Sequence, residues 1–218
     1  MNLEEWMKQP KEVQDFKIKD IRETILTEYV YVLKRLENKE KLKNMIEYLN
    51  ESTFFTDPSS TKHHCAYPGG LAEHSLNVYM RLYQLVRNDT HFSIKRYPHE
   101  TLFICGILHD VCKIGTYQIE TKWRKDSNGR WESYPTYVWN DNHPLGHGEK
   151  SVMILSKYIE LSDEEMLAIR WHMGRFDMAC DSYSGLQLLG AAQRQSPLVT
   201  ALHLADMEAT WFDETEYQ

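Results

Sequence analysis

The sequence lacks the features of a membrane or secreted protein. No apolar run reaches the roughly 18 residues that a membrane-spanning helix requires, and the first residues, MNLEEWMKQP, lack the basic-then-apolar order of a signal peptide. Only four cysteines are present and none forms a CxxC pair, so neither a disulfide framework nor a cysteine-bound zinc site is indicated. We therefore expect a cytoplasmic protein that does not associate with membranes.

Basic residues are too few for a protein that binds duplex nucleic acid without regard to sequence. Lys+Arg 25 against Asp+Glu 32 gives a net charge of −7, whereas such binding depends on neutralising phosphates with lysine and arginine. This balance still leaves room for a local basic groove. The 218 residues, 42% of them hydrophobic, fit one compact domain with a small appendage.

Apolar residues recur at helical spacing along most of the chain. Residues 17–50 predict one long and one shorter amphipathic helix, so we expect residues 1–52 to pack as N-terminal helices on a core domain of residues 53–218. Further helices are expected at about 71–86 and 98–112, within 143–160, after a capping box of Ser162 and Glu165, and from about Pro197. The tail, WFDETEYQ, is expected to fray.

The period of the pattern changes between residues 116 and 139. Two strand-like arms, TYQIETKWRK and RWESYPTYVW, flank the sequence DSNG, whose Asn-Gly pair is typical of a hairpin turn. The predicted fold class is therefore mostly α, a helical bundle with one inserted β-hairpin at about 116–139. Two interpretations of the hairpin stay open, namely that it covers the helices or that it stacks bases along a strand. Its aromatic and basic residues are Trp123, Trp131, Tyr134, Tyr137 and Trp139, with Lys122, Arg124, Lys125 and Arg130.

Several of the ten histidines lie inside apolar helical segments rather than on charged faces. These candidates are His74, His109 beside Asp110, His147, His172, and His203 near Asp206. A buried carboxylate without a partner costs several kcal/mol, and a divalent cation shared with neutral imidazoles removes that cost. For any one histidine the alternative is a hydrogen-bonded core residue. His91 lies in a polar loop and His99 at a helix start, so we do not include them among the candidate metal ligands.

A ligand set of histidine and aspartate without cysteine suits Mn²⁺, Fe²⁺ or Mg²⁺ rather than a structural zinc ion. Two further features are candidates for contact with substrate. His63 and His64 precede a YPGG loop, whose glycines let backbone N–H groups approach an anion. Arg175 follows His172 by three positions. Packing, capping or exposure to solvent explains these three residues equally well.

The order of these residues resembles the signature of the HD-domain metal-dependent phosphohydrolase superfamily. The segment HDVCKIG is similar to the core motif, and LAEHSLNV, HPLGHGEKSV, WHMG and LHLADMEA resemble the HD domain of bacterial exoribonucleases that degrade RNA from the three-prime end. The resemblance runs from about Phe54 to Ala209. Met173 stands where those domains tend to carry a second histidine, and Cys112 stands where glycine is common. The RNA-binding barrel that accompanies such domains has no counterpart in this sequence.

The resemblance implies a helical HD-domain bundle that holds one or two divalent ions. The implied ligands are His74, His109, Asp110 and Asp206 for the first ion, and His147 and His172 for the second, with Asp110 shared. Asp110 and Lys113 are the implied catalytic residues, because Lys113 lies one helical turn beyond Asp110 and would reach a substrate phosphate. His63, His64 and Arg175 complete the predicted substrate-binding set.

The expected activity is metal-dependent cleavage of phosphate mono- or diester bonds in a nucleotide or a short single-stranded nucleic acid. Two alternatives belong to other classes, namely a di-iron oxidative enzyme on an HD-type fold and a non-catalytic nucleotide-binding regulatory module. The expected partner is thus a phosphorylated small molecule or a short single strand. The amphipathic N-terminal helices also allow pairing with a second copy of the chain.

Overall fold

The computed structural model describes residues 1–34, 40–88 and 97–215. His91 therefore lies outside the described residues. The α-helices within these ranges are α1 (Leu3–Met7), α2 (Lys11–Leu33), α3 (Glu40–Glu51), α4 (Gly70–Asn88), α5 (His99–Leu108), α6 (His147–Leu155), α7 (Asp163–Arg170), α8 (Tyr183–Gln195) and α9 (Pro197–Glu208). The prediction of a mostly α fold with one inserted hairpin is confirmed.

Two strands, β1 (Tyr117–Lys125) and β2 (Trp131–Trp139), pair antiparallel to form the hairpin. Its turn is closed by Asp126, whose carboxylate accepts the backbone N–H of Arg130 at 2.8 Å. Gly129 adopts a φ of +77°, in the left-handed region that glycine enters without steric cost. The Asn-Gly signal in the sequence thus corresponds to a real turn. The outer half of the hairpin contacts α1, where Arg124 of β1 pairs with Glu4.

Helix α2 (Lys11–Leu33) shows how the N-terminal helices attach to the rest. Ile21, Ile25, Tyr29 and Val32 recur at helical spacing and are buried, while the outer face carries charged residues together with a few exposed apolar ones such as Phe16. The attachment is therefore made through one apolar stripe. Among the residues that the structure describes, no helix is both long and apolar enough to cross a membrane.

One buried apolar cluster contains residues from both the N-terminal and the C-terminal helices. Ile25 of α2, Leu82 of α4, Phe103 of α5 and Leu202 of α9 are all fully buried members of it. Helices α4 and α5 lie at its centre and pack against each other. A core of this kind fixes the relative positions of the helices that carry the polar residues described below.

The close approach of α4 and α5 depends on Gly106. A Cβ atom placed there would lie 2.5 Å from the Cα atom of Tyr79, which is closer than carbon atoms can pack. The atoms that it would meet first include the backbone of Tyr79 rather than the end of a flexible side chain. A side chain at this position would therefore force the two helices apart. The same segment leads directly into His109 and Asp110, and the contact therefore also positions these two residues.

We expect Gly106→Ala to lower the free energy of unfolding by about 2 kcal/mol, the cost of overpacking a filled interior. Gly190→Ala in α8 is the matched control, because its new Cβ would meet only the end of the Arg194 side chain at 3.4 Å. Better helix propensity should stabilise that variant by about 0.5–1 kcal/mol. Urea denaturation of both variants measures the difference. Equal effects of the same sign would contradict the role given to Gly106.

Helix α5 ends at Leu108, earlier than the predicted end at residue 112. Asp110 has φ −108° and ψ 17°, outside the helical region, and a 3-10 turn follows over Val111–Lys113. The apolar pattern nevertheless continues, because Val111 and Cys112 are both buried. This continuity explains why the sequence predicts a longer helix. The change of backbone direction turns the Asp110 side chain into the bundle.

The capping box predicted at the start of α7 is confirmed. The Ser162 hydroxyl accepts the backbone N–H of Glu165, and the Glu165 carboxylate accepts the backbone N–H of Ser162. Helix α8 (Tyr183–Gln195) has no counterpart in the sequence analysis. It contains Gly185 and Gly190, which weaken a helical pattern, and it begins after a Ser182 cap instead.

Candidate metal centre

Side chains from five helical segments converge at one point inside the bundle. His74 lies on α4, His109 and Asp110 follow the end of α5, His147 begins α6, His172 follows the end of α7, and Asp206 lies on α9. All six residues that the sequence analysis proposes as metal ligands are therefore neighbours in space. Asp110, only 2% exposed, lies at the centre of the group.

One carboxylate oxygen of Asp110, Oδ2, lies among three basic side chains. The Nε2 atoms of His74 and His109 are 3.6 Å and 3.4 Å from it, and the Nζ atom of Lys113 is 2.7 Å from it. Asp206 closes this side of the group, with its Oδ1 atom 3.3 Å from Nε2 of His74. Nε2 of His74 thus lies close to both carboxylates, that of Asp110 and that of Asp206.

The other oxygen of Asp110, Oδ1, lies between two further histidines. Nε2 of His147 is 2.7 Å from it and Nε2 of His172 is 3.4 Å from it. The Sγ atom of Cys112 lies 3.4 Å from Nδ1 of His147. Burial raises the pKa of this thiol to about 12, so Cys112 stays protonated and is a poor metal ligand.

Backbone carbonyls fix the orientation of the two most deeply buried rings. Nδ1 of His109 lies 2.9 Å from the carbonyl of Gly106, and Nδ1 of His172 lies 2.7 Å from the carbonyl of Ile169. A carbonyl can only accept, so each Nδ1 carries the hydrogen and each Nε2 presents its lone pair. His203 has a supporting role, because its Nδ1 lies 2.7 Å from the carbonyl of His172.

The freed Nε2 atoms of His109 and His172 are buried without a hydrogen-bond partner. Such orphaned acceptors are uncommon in a protein interior, because each costs free energy unless something binds it. A divalent cation is the partner that a cluster of imidazole lone pairs and carboxylates accommodates. These residues therefore fit a metal ion, and their donor set lacks the thiolates of a structural zinc site.

Three triads of ligand atoms in the cluster lie within 4.8 Å of one another. They are His74–His109–Asp110, His109–His172–Asp206 and Asp110–His147–His172. Two of the triads share Asp110. The middle triad combines ligands that the resemblance assigns to different ions, so the geometry accommodates one ion or two adjacent ones. Fe²⁺ and Mn²⁺ accept such mixed nitrogen and oxygen ligands, whereas Mg²⁺, the third ion expected from the sequence, prefers oxygen ligands.

Charges within the cluster favour a carboxylate surrounded by mostly neutral rings. Burial alone would raise the pKa of Asp110, but Lys113 and the neighbouring histidines hold it well below its usual range. Burial lowers the pKa of His109 and of His147, which favours their neutral, metal-binding forms at neutral pH. The carboxylate and these two rings are thus already in the protonation states that a metal requires.

Glu214 completes the surroundings of His74, and the sequence analysis missed it. Its side chain is 1% exposed, and both carboxylate oxygens lie 3.1 Å from Nδ1 of His74. Asn77 donates a further hydrogen bond to it at 3.0 Å. The prediction of a frayed tail is therefore wrong for Glu214. A short π-helical turn, Ala209–Asp213, continues α9 and folds the chain back onto α4.

The pKa of His74 is raised rather than lowered, as is that of His172 beside Asp110. Burial alone would lower its pKa, but Glu214 and Asp206 raise it to about 10. The same contact overcomes the effect of burial on Glu214 and lowers its pKa to about 2. Binding of a metal at Nε2 of His74 would therefore release a proton, while Glu214 holds the remaining one on Nδ1.

We expect Glu214→Gln to weaken binding of Mn²⁺ by about 10- to 100-fold, the usual cost of losing an acceptor behind a metal-bound histidine. Asp213→Asn is the matched control, because it alters the same turn but removes only a contact with Arg81. Competition against a fluorescent chelator measures the affinity. Equal affinities in the two variants would show that Glu214 does not support His74.

The proposed substrate-binding residues lie at different distances from the cluster. His64 is close, with its ring centroid 4.9 Å from that of His74. His63 is exposed on the surface. The guanidinium of Arg175 donates to the carbonyl of Cys180 rather than to a member of the cluster. Contact of these side chains with substrate stays a prediction, and His64 is the best placed of the three.

Three glutamates adjacent to motif positions make no contact with the clustered histidines. Each pairs with a basic side chain instead: Glu73 with Lys17, Glu149 with Arg170, and Glu208 with Arg81. The acceptors behind the histidines are thus backbone carbonyls and a distant glutamate.

The hairpin divides into a base near the cluster and a remote tip. Trp139, at the base, packs edge-on against Tyr117. The tip lies roughly 25–30 Å along the strands, given about 3.3 Å per residue. There Arg124 covers the ring of Tyr134 and Lys125 covers that of Trp131. Arg124 also pairs with Glu4 and Glu132, and Arg130 pairs with Asp126, so these basic groups already have partners within the protein.

The fold and the site together define a helical bundle with a buried His/Asp centre suited to a divalent metal. The family model of the HD domain matches residues 71–211, more than half of the chain, and the chain belongs to this family. Family members are generally metal-dependent phosphohydrolases. The matched segment contains all six candidate ligands, whereas His64 and Glu214 lie outside it. Searches of curated proteins and of solved structures found no match.

Proposed function

We propose that the protein is a metal-dependent phosphohydrolase that cleaves phosphate mono- or diester bonds of a nucleotide or a short single-stranded nucleic acid. The observation that carries this proposal is the environment of Asp110. Both of its oxygens lie among imidazoles, and two of those rings present buried Nε2 atoms without a hydrogen-bond partner. The family membership supports the reaction class.

His74, His109, Asp110 and Asp206 would hold one ion, and His147 and His172, with Asp110, a second. When bound, such ions polarise phosphoryl oxygens and make water a better nucleophile at neutral pH. His147 and Asp206 are the most exposed of the candidate ligands, at 25% and 16%, while the others are at most 2% exposed. A phosphate would therefore enter between these two residues.

Lys113 supplies the positive charge that the chain itself contributes to this entrance. Its side chain is 12% exposed, and burial alone would lower its pKa, but Asp110 raises it. The ammonium group is therefore charged at neutral pH. It can neutralise negative charge that develops on the phosphate oxygens during hydrolysis.

The resemblance to three-prime exoribonucleases supports a substrate that contains a nucleotide. Two features favour a small substrate over a long RNA strand. The net charge is −7, and three basic groups near the hairpin tip already have partners, since Arg124 and Lys125 cover aromatic rings and Arg130 pairs with Asp126. Met173, where those nucleases tend to have histidine, offers no ligand nitrogen to a second ion. Activity with a single ion is therefore part of this proposal.

The test is release of phosphate or nucleotide from a panel of nucleotides and short oligonucleotides in the presence of Mn²⁺. We expect turnover by the native protein, and loss of both bound metal and turnover in His109→Ala. His143→Ala, which removes an exposed histidine, should keep its metal. Two results would contradict the proposal: oxygen consumption with Fe²⁺ that depends on an organic substrate, or tight nucleotide binding by the metal-free protein together with no turnover of any substrate once Mn²⁺ is bound.

A further inference from the structure

An apolar cavity of about 670 Å³ opens beside the metal centre. It lies between the base of the hairpin, the segment before α6, and residues 173–179. Cavities of this size hold small-molecule ligands in many proteins. The wall residues that carry the following argument are Trp139, Leu145, Phe176 and Met178, with Asp141 and Lys150 at one end.

The walls of this cavity expose several large apolar side chains, which a folded protein normally buries. Trp139 and Leu145 are 47% and 46% exposed, and Phe176 and Met178 are 67% and 84% exposed. Large apolar side chains scattered singly over a surface need no explanation, but four that line one concavity mark a binding site. Trp139 and Phe176 provide two flat faces.

The cavity is continuous with the candidate metal centre. His147 lines it, and Nε2 of the same ring lies 2.7 Å from Asp110. Cys112, whose Sγ contacts His147, lines it too. His147 is also the most exposed of the candidate ligands. A substrate with its phosphate at Asp110 would therefore extend the rest of its structure into this cavity.

The polar end of the cavity presents a donor and an acceptor side by side. Nζ of Lys150 lies 2.6 Å from Oδ1 of Asp141, and both side chains are at most 10% exposed. Lys150 has three N–H donors and uses one of them on Asp141, so the others can meet acceptors on a ligand, which an apolar ligand such as a lipid chain does not offer. A nucleobase has two faces for stacking and an edge with donors and acceptors, and protein pockets recognise bases through both.

We propose that this cavity binds the base of a nucleotide, stacked against Trp139 and Phe176, while the phosphate of the same molecule lies at Asp110 and Lys113. The inference rests on the proposed function, because it assumes that a phosphate ester binds at the metal centre. It adds to that function a binding site for the base, which is the part of the substrate that gives specificity. A base-free phosphate ester gains nothing from the cavity.

Adenosine 5′-monophosphate and ribose 5-phosphate form the test pair, since they share the phosphate ester and the sugar and differ by the base. Binding to Mn²⁺-loaded protein is measured by calorimetry, and hydrolysis by phosphate release. We expect Trp139→Ala and Phe176→Ala each to weaken binding of the adenosine nucleotide by at least about fivefold and to leave ribose 5-phosphate unaffected. Trp139→Phe should restore most of the affinity. Phe16→Ala removes an exposed ring on α2 as the control.

The outcomes separate this inference from the proposed function. Equal affinity for the two esters, or no binding of the adenosine nucleotide, overturns the base site, whether or not hydrolysis occurs. Nucleotide binding that depends on Trp139 and Phe176 without hydrolysis of any ester supports the base site and contradicts the phosphohydrolase. Loss of affinity for both esters in the two alanine variants would show that the cavity walls serve only the structure, and would also overturn the inference.

Discussion

Asp110→Asn is expected to lose its metal and its activity together, with turnover lowered by about a thousandfold or more. The carboxylate contacts imidazoles through both of its oxygens, at 2.7 Å to His147 and 3.4 Å to His109 and to His172. An amide keeps the shape of the side chain but removes its negative charge and replaces one acceptor oxygen with a donor. One oxygen lies near His74 and His109 and the other near His147 and His172, so the substitution affects both sets of histidines.

The same substitution should also destabilise the metal-free protein. Lys113 lies 2.7 Å from Asp110, and both side chains are largely buried. Asparagine would leave the ammonium group without a countercharge, a loss that costs about 3 kcal/mol when one partner of a buried ion pair is removed. Thermal unfolding of the metal-free variant therefore provides a measurement independent of activity.

Asp15→Asn is the matched control for this change, because Asp15 is 59% exposed on α2 and pairs only with Lys11. We expect it to keep the native metal content, turnover and melting temperature. Metal content is measured by mass spectrometry of the purified proteins. Native metal content in Asp110→Asn would contradict the placement of the metal at this carboxylate, whatever its activity.

The convergence of the six candidate ligands was predictable because each lies in a short segment with strong local character. HDVCKIG, for example, puts His109 and Asp110 at the end of an apolar run, where burial is expected and a partner is required. The order of these segments along the chain then matched that of a known family, which indicated that they form one site. The hairpin was predictable for a similar reason, since alternation of residues and an Asn-Gly turn are local signals.

The surroundings of the ligands were not predictable, because tertiary contacts supply them. Glu214 reaches His74 across 140 positions of sequence, from a polar tail with no apolar period to mark it as buried. The carbonyls of Gly106 and Ile169 orient two histidines, but a sequence gives no sign of which carbonyl is free. Both become available near the ends of helices, where the last carbonyls lack a helical partner.

The candidate base site illustrates the same limit. Trp139, Leu145 and Phe176 come from a strand end and two irregular segments, and nothing in their spacing relates them. The sequence analysis did single out Trp139, but only together with the aromatic residues of the hairpin tip. The structure separates it from them, because the base of the hairpin lies at the cavity while the tip lies at the far end of the strands.

Lys113→Met is expected to lower kcat by about a hundredfold while the protein keeps its metal. The ammonium group lies 2.7 Å from Asp110 at the cluster and is 12% exposed, so it can meet a phosphate that enters beside His147. Methionine preserves the length and the apolar stem of the side chain. It removes the charge that would stabilise developing negative charge on the phosphate.

The effect on metal binding distinguishes this role from simple charge balance. Lys113 competes with a metal for the Oδ2 atom of Asp110, so its removal should leave the affinity for Mn²⁺ unchanged or increase it. Either role lowers the stability of the metal-free protein, because the buried carboxylate loses its countercharge. A residue that only balanced this carboxylate would, however, leave kcat per bound metal unchanged when it is lost. Lys113→Arg keeps the charge and should recover part of the lost rate.

Lys19→Met provides the control, because Lys19 is 72% exposed on α2. Steady-state kinetics at saturating Mn²⁺ separate kcat from KM, and metal content is determined on the same samples. A kcat within twofold of the native value in Lys113→Met would remove Lys113 from the reaction. A fall in kcat with full metal content, together with partial recovery in Lys113→Arg, would place its charge at the phosphate.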